Sequence, residues 1–94
     1  ELIDLRTIRP LDMDTILNSV KKTNRLVILE ESWPFGNIST EITYQVQSQA
    51  FDYLDAPVQK INTVDTPAPY SPVLLQEWLP NHEDVVRAVK KVMN

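Results

Sequence analysis

The sequence predicts an α/β fold with three layers, in which crossover helices cover a mostly parallel sheet. Two observations carry this prediction. The spacing of the apolar residues alternates between a strand-like and a helical period along the chain. Residues 25–30 read Arg-Leu-Val-Ile-Leu-Glu, an apolar run typical of a strand that is covered on both faces. The predicted order is strand, helix, strand, helix, strand, Pro-rich connection and helix, which favours parallel pairing.

The first half of the chain contains two predicted strands and the helix between them. Residues 2–5 form a short β-prone run that is predicted to be a strand, and residues 6–10 follow as a loop, because Pro10 ends regular strand pairing. Asp12 is a suitable helix cap, and Asn24 is a suitable left-handed end for the same helix. The apolar residues between them have helical spacing: Met13, Ile16, Leu17 and Val20. Residues 25–30 are then predicted to form a central strand.

The second half continues the alternation. A second helix is predicted from Ile38 onward, with Ile38, Ile42, Val46 and Ala50 on one face and with Phe51 and Leu54 extending the helix toward residues 55–57. Pro57 ends it, and residues 58–62 alternate like a strand. Residues 66–72 are too rich in proline for a helix or a central strand and are predicted to be extended. After Pro80, a last helix is capped by Asn81 and Asp84 and buries Val85, Ala88, Val89 and Val92.

Composition excludes several classes of protein. The chain has 94 residues, of which 43% are hydrophobic and 23% charged, so residues 1–94 are predicted to form a single domain. A net charge of −4 disfavours nucleic acid as a partner. The absence of cysteine suits a reducing compartment. No apolar run approaches the ~20 residues that a membrane helix needs.

Few residues can do chemistry. His82 is the only histidine, so it cannot join a second one at a metal. Glu30 and Glu31 stand where open α/β sheets bind ligands, but adjacent strand residues point to opposite faces. Asp12 and Asp14 are explained by helix capping, and Gly36 is the only glycine, which excludes a phosphate-binding loop. No catalytic, cofactor-binding or metal-binding residue is therefore predicted.

Aromatic residues are concentrated in or beside the predicted loops. Trp33 and Phe35 follow the apolar strand, Tyr70 lies in the Pro-rich segment, and Trp78 precedes the last helix. Aromatic residues in loops commonly mark a protein interface, and they about equally often cover the ends of a small core. Both interpretations remain open from the sequence.

Several stretches resemble the C-terminal domain of the beta subunit in thiamine-dependent 2-oxoacid dehydrogenases. They are residues 4–12 (Asp-Leu-Arg-Thr-Ile-Arg-Pro-Leu-Asp), 50–57 (Ala-Phe-Asp-Tyr-Leu-Asp-Ala-Pro) and 65–70 (Asp-Thr-Pro-Ala-Pro-Tyr). Residues 30–34 and the Leu79-Pro80 pair make the sequence most similar to the pyruvate dehydrogenase branch of that family. The resemblance covers nearly the whole chain. It departs at Asn37, Ser39 and Thr63, because the family usually has glycines in these regions.

The resemblance implies a transketolase C-terminal-like fold that lacks its first strand and helix, which the family places before the point equivalent to Glu1. It also implies a division of labour in which thiamine diphosphate and magnesium lie between the alpha subunit and the beta subunit's N-terminal domain. The present chain would then be non-catalytic and would serve assembly. Such a parent enzyme works in the bacterial cytoplasm or the mitochondrial matrix.

The implied partners are the alpha subunit, a second beta subunit and the subunit-binding domain of dihydrolipoyl acetyltransferase. The resemblance places Asp55 at the surface that docks this last partner, and Trp33, Phe35 and Tyr70 are predicted to contact partners as well. Two alternatives remain open. One is a branched-chain 2-oxoacid dehydrogenase or another transketolase-like subunit, and the other is a free-standing, non-enzymatic α/β module that binds a protein.

Overall fold

The computed structural model describes residues 1–94 and contains a two-stranded parallel sheet with four α-helices. The elements are α1 (Met13–Thr23), β1 (Val27–Leu29), α2 (Ile38–Ala50), β2 (Gln59–Ile61), α3 (Pro72–Trp78) and α4 (His82–Met93). Val27 pairs with Gln59 and Leu29 with Ile61, and α2 makes the crossover between the two strands. The predicted α/β class and the parallel pairing are therefore confirmed.

Helix α1 begins and ends as its sequence predicts. The carboxylate of Asp12 accepts hydrogen bonds from the Thr15 N–H at 3.1 Å and from the Thr15 hydroxyl at 2.7 Å. These bonds favour the ionised carboxylate, so the pKa of Asp12 is lowered. At the other end, Asn24 adopts the left-handed conformation with φ 67°, and its N–H donates to the Val20 carbonyl. Asp12 thus caps the first turn of α1 with its side chain, and Asn24 ends the helix because asparagine adopts the left-handed conformation more readily than most residues.

The main core lies between α1, α2 and one face of the sheet. It consists of six buried residues with helical spacing on their two helices: Ile16, Leu17, Val20, Ile42, Val46 and Ala50. Ile28 of β1 packs against this cluster. Because Leu29 and Ile61 are register partners next to Ile28 and Lys60, they point to the opposite face of the sheet.

Helix α4 covers that opposite face. An Asn81–Asp84 capping box starts it, and Ala88 and Val92 are buried. The prediction that Val89 is also buried is wrong, because 43% of Val89 is exposed. A sheet of two strands is too narrow to cover the whole apolar side of a helix, so this flank of α4 stays uncovered. Helices on both faces nonetheless give the predicted three layers.

The prediction of a first strand at residues 2–5 is wrong. The segment has no strand partner, since β1 and β2 pair only with each other. At Arg6 the chain turns with φ 62°, and the Thr7 N–H bonds the Leu5 carbonyl. Leu5 instead packs against the main core. The sheet therefore has two strands rather than three, and β1 is an edge strand rather than a central one.

Two further boundaries differ from the prediction. Helix α2 ends at Ala50, whose φ of −140° breaks the helical backbone, and a 3₁₀ turn over Phe51–Tyr53 follows. Phe51 is consequently 63% exposed and does not extend the buried face. Helix α3 is not predicted by the sequence, because Pro72 indicates extended structure. Proline is nonetheless suitable as the first residue of a helix, where the backbone N–H that it lacks would have no partner within the helix. None of the helices is both long and apolar enough to cross a membrane.

Candidate functional site

The four residues predicted to contact partners lie near opposite ends of the sheet. Asp55 lies beside Asn24 and Arg25, the two residues that come shortly before β1 in the chain. Trp33 and Phe35 follow the end of β1, and Trp33 is hydrogen-bonded to the segment that leads to Tyr70. The structure therefore separates two surfaces. We call them the acidic surface (Asn24, Arg25, Tyr53 and Asp55) and the aromatic surface, which comprises Trp33 and Trp78 together with Phe35 and Tyr70, each two residues along the chain from a residue that lines the groove between the tryptophans.

The main chain of the acidic surface is clamped to the end of α1. The Asp55 N–H donates to the Asn24 carbonyl at 2.8 Å, and the Asn24 side-chain amide donates to the Tyr53 carbonyl at 2.8 Å. The two bonds join segments that are about thirty residues apart in sequence. They determine the position of Asp55 without involving its carboxylate.

The carboxylate of Asp55 is exposed and only loosely paired. Its side chain is 56% exposed, and Oδ2 lies 3.8 Å from Nη1 of Arg25. That distance permits electrostatic attraction but is too long for a hydrogen bond. Arg25 also donates from Nε to the Val92 carbonyl at 2.9 Å, near the end of α4. Asp55 can thus accept a charge-assisted hydrogen bond from another molecule.

The aromatic surface is organised around one main-chain carbonyl. Trp33 Nε1 donates to the Thr66 carbonyl at 2.7 Å, and Trp78 Nε1 donates to the same oxygen at 2.8 Å. Both indoles border a shallow apolar groove with Ser32 and Ala68. The indole N–H groups of both tryptophans thus have partners within the chain, while Trp33 is still 48% exposed, so its contact with a partner stays a prediction.

Phe35 and Tyr70 behave differently from the tryptophans. Phe35 is 87% exposed and Tyr70 is fully exposed. Neither side chain can stabilise the folded chain by burial in this position. Large apolar side chains that cover nothing within their own chain favour the interface interpretation for these two residues.

Glu30 has a structural role at the carboxyl end of the sheet. Its Oε2 accepts the Ser39 N–H at 2.7 Å in the first turn of α2, and its Oε1 accepts from the Ser32 hydroxyl. A carboxylate at a helix N-terminus is favourable, because it meets unpaired N–H groups and the positive end of the dipole. Glu31 is exposed beside it and does not join this arrangement.

Other candidate chemistry is equally limited. His82 is exposed in the first turn of α4. No group of three or more His, Asp or Glu side chains lies close enough together to hold a metal ion. All buried side-chain nitrogen and oxygen atoms have hydrogen-bond partners.

Sequence reasoning missed Arg25 as a member of the acidic surface. Because Arg25 stands at the start of an apolar run, the sequence predicts it only as the first residue of a strand. The contact with Val92 joins residues 67 positions apart, and no local pattern reveals such a contact. Asn24 did carry a signal, since its left-handed conformation was predicted, but its side-chain bond to Tyr53 was not.

Together, the fold and its two surfaces define a small α/β domain whose exposed charged and aromatic side chains suit contact with other proteins. The chain belongs to the transketolase C-terminal domain family, whose sequence profile matches residues 1–85. The resemblance found from the motifs is thereby confirmed.

Several curated proteins with sequences similar to this chain are pyruvate dehydrogenase beta subunits. The chain is 54% identical over 92 residues to the pyruvate dehydrogenase E1 component subunit beta of Rickettsia felis, covering 98% of this chain and 28% of that protein. It is 54% identical over 92 residues to the same subunit of Rhizobium meliloti, covering 98% of this chain and 20% of the relative. The mitochondrial subunit of Dictyostelium discoideum is 47% identical over 92 residues, covering 98% and 26% respectively. The chain thus spans about a quarter of the length of these relatives.

Proposed function

We propose that the chain is the assembly and docking domain of the beta subunit of a thiamine-diphosphate-dependent pyruvate dehydrogenase. That enzyme oxidatively decarboxylates pyruvate and transfers the acetyl group to lipoyl groups. The names of the relatives and the motif at residues 50–57 support the proposal. The relatives' names, residues 30–34 and the Leu79-Pro80 pair favour pyruvate over branched-chain 2-oxoacids. In this proposal, residues 1–94 form one partial domain.

The proposed partners are the alpha subunit, a second beta subunit and the subunit-binding domain of dihydrolipoyl acetyltransferase. The observation that carries the docking role is the Asp55 carboxylate, which is exposed while its main chain is clamped by Asn24. A fixed, accessible anion recognises a basic partner at little entropic cost. Bacterial and mitochondrial relatives support a location in the bacterial cytoplasm or the mitochondrial matrix.

The residues of this chain do not fit thiamine diphosphate or magnesium. Magnesium prefers several oxygen ligands in octahedral geometry, and no group of three acidic or histidine side chains is present. The only glycine, Gly36, does not provide a phosphate-binding loop. No step of the reaction is therefore assigned to this chain, and the proposal places the cofactor in other parts of the parent enzyme.

Replacing Asp55 by asparagine tests the docking role. The change keeps the shape of the side chain and removes its charge, so we expect affinity for the isolated subunit-binding domain to fall about tenfold, or about 1.4 kcal/mol. The measurement is isothermal titration calorimetry with the full-length beta subunit assembled with its alpha subunit. Decarboxylation of pyruvate, followed with an artificial electron acceptor, should be unchanged.

Asp14→Asn is the matched control, because Asp14 is an exposed carboxylate in the first turn of α1, at the other end of that helix from Asn24. It should leave docking unchanged. Equal affinity for the wild-type and Asp55→Asn proteins would reject the docking role, and loss of decarboxylation in Asp55→Asn would indicate a different role for this residue.

We further propose that Phe35 and Tyr70 contact a neighbouring subunit rather than the acetyltransferase. An aromatic side chain at the centre of an interface can contribute about 2 kcal/mol or more, which corresponds to about thirtyfold in affinity. Phe35→Ser should therefore weaken assembly of the alpha and beta subunits by about this factor, measured by sedimentation over a dilution series.

The control for Phe35→Ser is Tyr44→Ser on α2, which removes an aromatic side chain that is 61% exposed. It should not alter assembly. Since Phe35 is exposed, the thermal stability of the isolated subunit should be nearly constant in both variants. Assembly that is equally strong in wild type and Phe35→Ser would contradict the interface role.

A further inference from the structure

We propose that Arg25 weakens the binding of a basic partner to Asp55, because its charge competes with the partner's cation for this carboxylate. This inference rests on the docking role proposed for Asp55. The starting observation is that the protein places a cation of its own beside the docking carboxylate, with Nη1 of Arg25 3.8 Å from Oδ2 of Asp55.

Arg25 is not needed to position Asp55. The main chain of Asp55 is held by the Asn24 carbonyl, and Asn24 is in turn bonded to Tyr53. The 3.8 Å separation is too long for a hydrogen bond that would orient the carboxylate. The role of Arg25 toward Asp55 is therefore mainly electrostatic.

Nor is Arg25 needed to attach the end of α4. Its Nε donates to the Val92 carbonyl, but the Val92 side chain is itself only 5% exposed and is held by packing. The hydrogen bond from Nε to the Val92 carbonyl nonetheless restricts the guanidinium, and the Arg25 side chain is only 33% exposed, which restricts it further. A partner's cation must then bind Asp55 while this charge remains nearby.

A fixed positive charge beside the carboxylate penalises a second cation. Lys21, whose ammonium lies 5.5 Å from the centre of the Tyr53 ring, adds further positive charge to the same region. An ammonium or guanidinium group of a partner is repelled by Arg25 as it approaches Asp55. An arginine of a basic partner fits better, since it can form two directed hydrogen bonds to the carboxylate. Arg25 therefore lowers the affinity of this surface for any basic partner, including one that presents arginine.

Arg25→Gln tests this inference in the full-length beta subunit assembled with its alpha subunit, with the isolated subunit-binding domain as the probe. Removal of the competing charge should tighten binding about two- to fivefold, the range expected for an exposed pair of charges. The dependence of the dissociation constant on salt concentration should become steeper. Arg25→Lys keeps the charge and should bind with nearly the wild-type affinity.

Arg9→Gln is the control, because it removes an exposed arginine from the loop before α1, at the other end of that helix from Asn24. It should leave the affinity and its salt dependence unchanged. The double variant Arg25→Gln, Asp55→Asn should lose the gain that Arg25→Gln shows alone, since the competing charge acts only through Asp55.

The outcomes separate this inference from the docking proposal. Weaker or unchanged binding by Arg25→Gln, with Asp55→Asn still impaired, overturns the role of Arg25 and retains that of Asp55. Binding that does not respond to Asp55→Asn overturns the docking proposal itself. A gain with Arg25→Gln that persists in the double variant also overturns the inference, because it would show that Arg25 acts elsewhere.

Discussion

Replacing Val46 by aspartate is expected to unfold the protein. Val46 is completely buried at the contact between α1, α2 and the sheet, in the cluster that also contains Val20 and Ile42. A carboxylate there would lose its hydration and find no basic partner, since none of the six cluster residues is polar. We expect the free energy of unfolding to fall by more than about 3 kcal/mol, a large part of the stability of a small domain.

Urea denaturation, followed by circular dichroism and by the fluorescence of the two tryptophans, measures this effect. Gln47→Asp is the matched control, because it introduces the same charge at the adjacent exposed position of α2 and should change stability by less than about 0.5 kcal/mol. Val46→Ala should lose about 2 kcal/mol through the missing methyl groups and the cavity they leave. Full stability of Val46→Asp would show that α2 does not pack as described.

The second large effect is expected at Asn24, where one residue ends α1 and also holds the acidic surface. Its φ of 67° is strained for alanine by about 1–2 kcal/mol. Alanine also lacks the amide that donates to the Tyr53 carbonyl, a bond that contributes about 1 kcal/mol. Asn24→Ala should therefore lower the free energy of unfolding by about 2 kcal/mol.

Asn24→Gly separates the two contributions. Glycine adopts the left-handed conformation without strain but also lacks the amide, so this variant should lose only about 1 kcal/mol. Both variants remove the bond to Tyr53 and should weaken docking through Asp55. Equal destabilisation by alanine and glycine in urea denaturation would show that backbone strain at residue 24 is unimportant.

Most of the fold could be predicted because its signals are local. Helical spacing of apolar residues, the Asp12 cap and the Asn24 end together placed α1 correctly. The Asn81 and Asp84 pair likewise placed the start of α4. Each signal depends on groups within one or two helical turns, which sequence reasoning can examine directly.

The errors occurred where an element depends on a partner. Residues 2–5 have the composition of a strand, but a strand exists only when another strand supplies its hydrogen bonds. Val89 has the spacing of a buried residue, but a two-stranded sheet does not reach it. Pro72 discouraged the prediction of a helix, although proline is suited to a helix's first turn.

The candidate site shows the same division. The family motifs predicted Asp55 as a contact residue and the loop positions predicted Trp33, Phe35 and Tyr70, and these four assignments stay predictions. Sequence did not predict that Trp33 donates to the Thr66 carbonyl while Phe35 remains exposed. The two aromatic residues are separated by one position, and only the path of residues 66–70 distinguishes them.

By itself, the sequence determined the α/β class, the family and most helix boundaries, because composition, short motifs and short-range spacing suffice for these features. Only the tertiary structure decided that the sheet has two strands, that the predicted contact residues form two separate surfaces, and that Arg25 lies between Asp55 and Val92. The physical reason is that these features depend on contacts between residues distant in sequence, and the chain must fold before such residues meet.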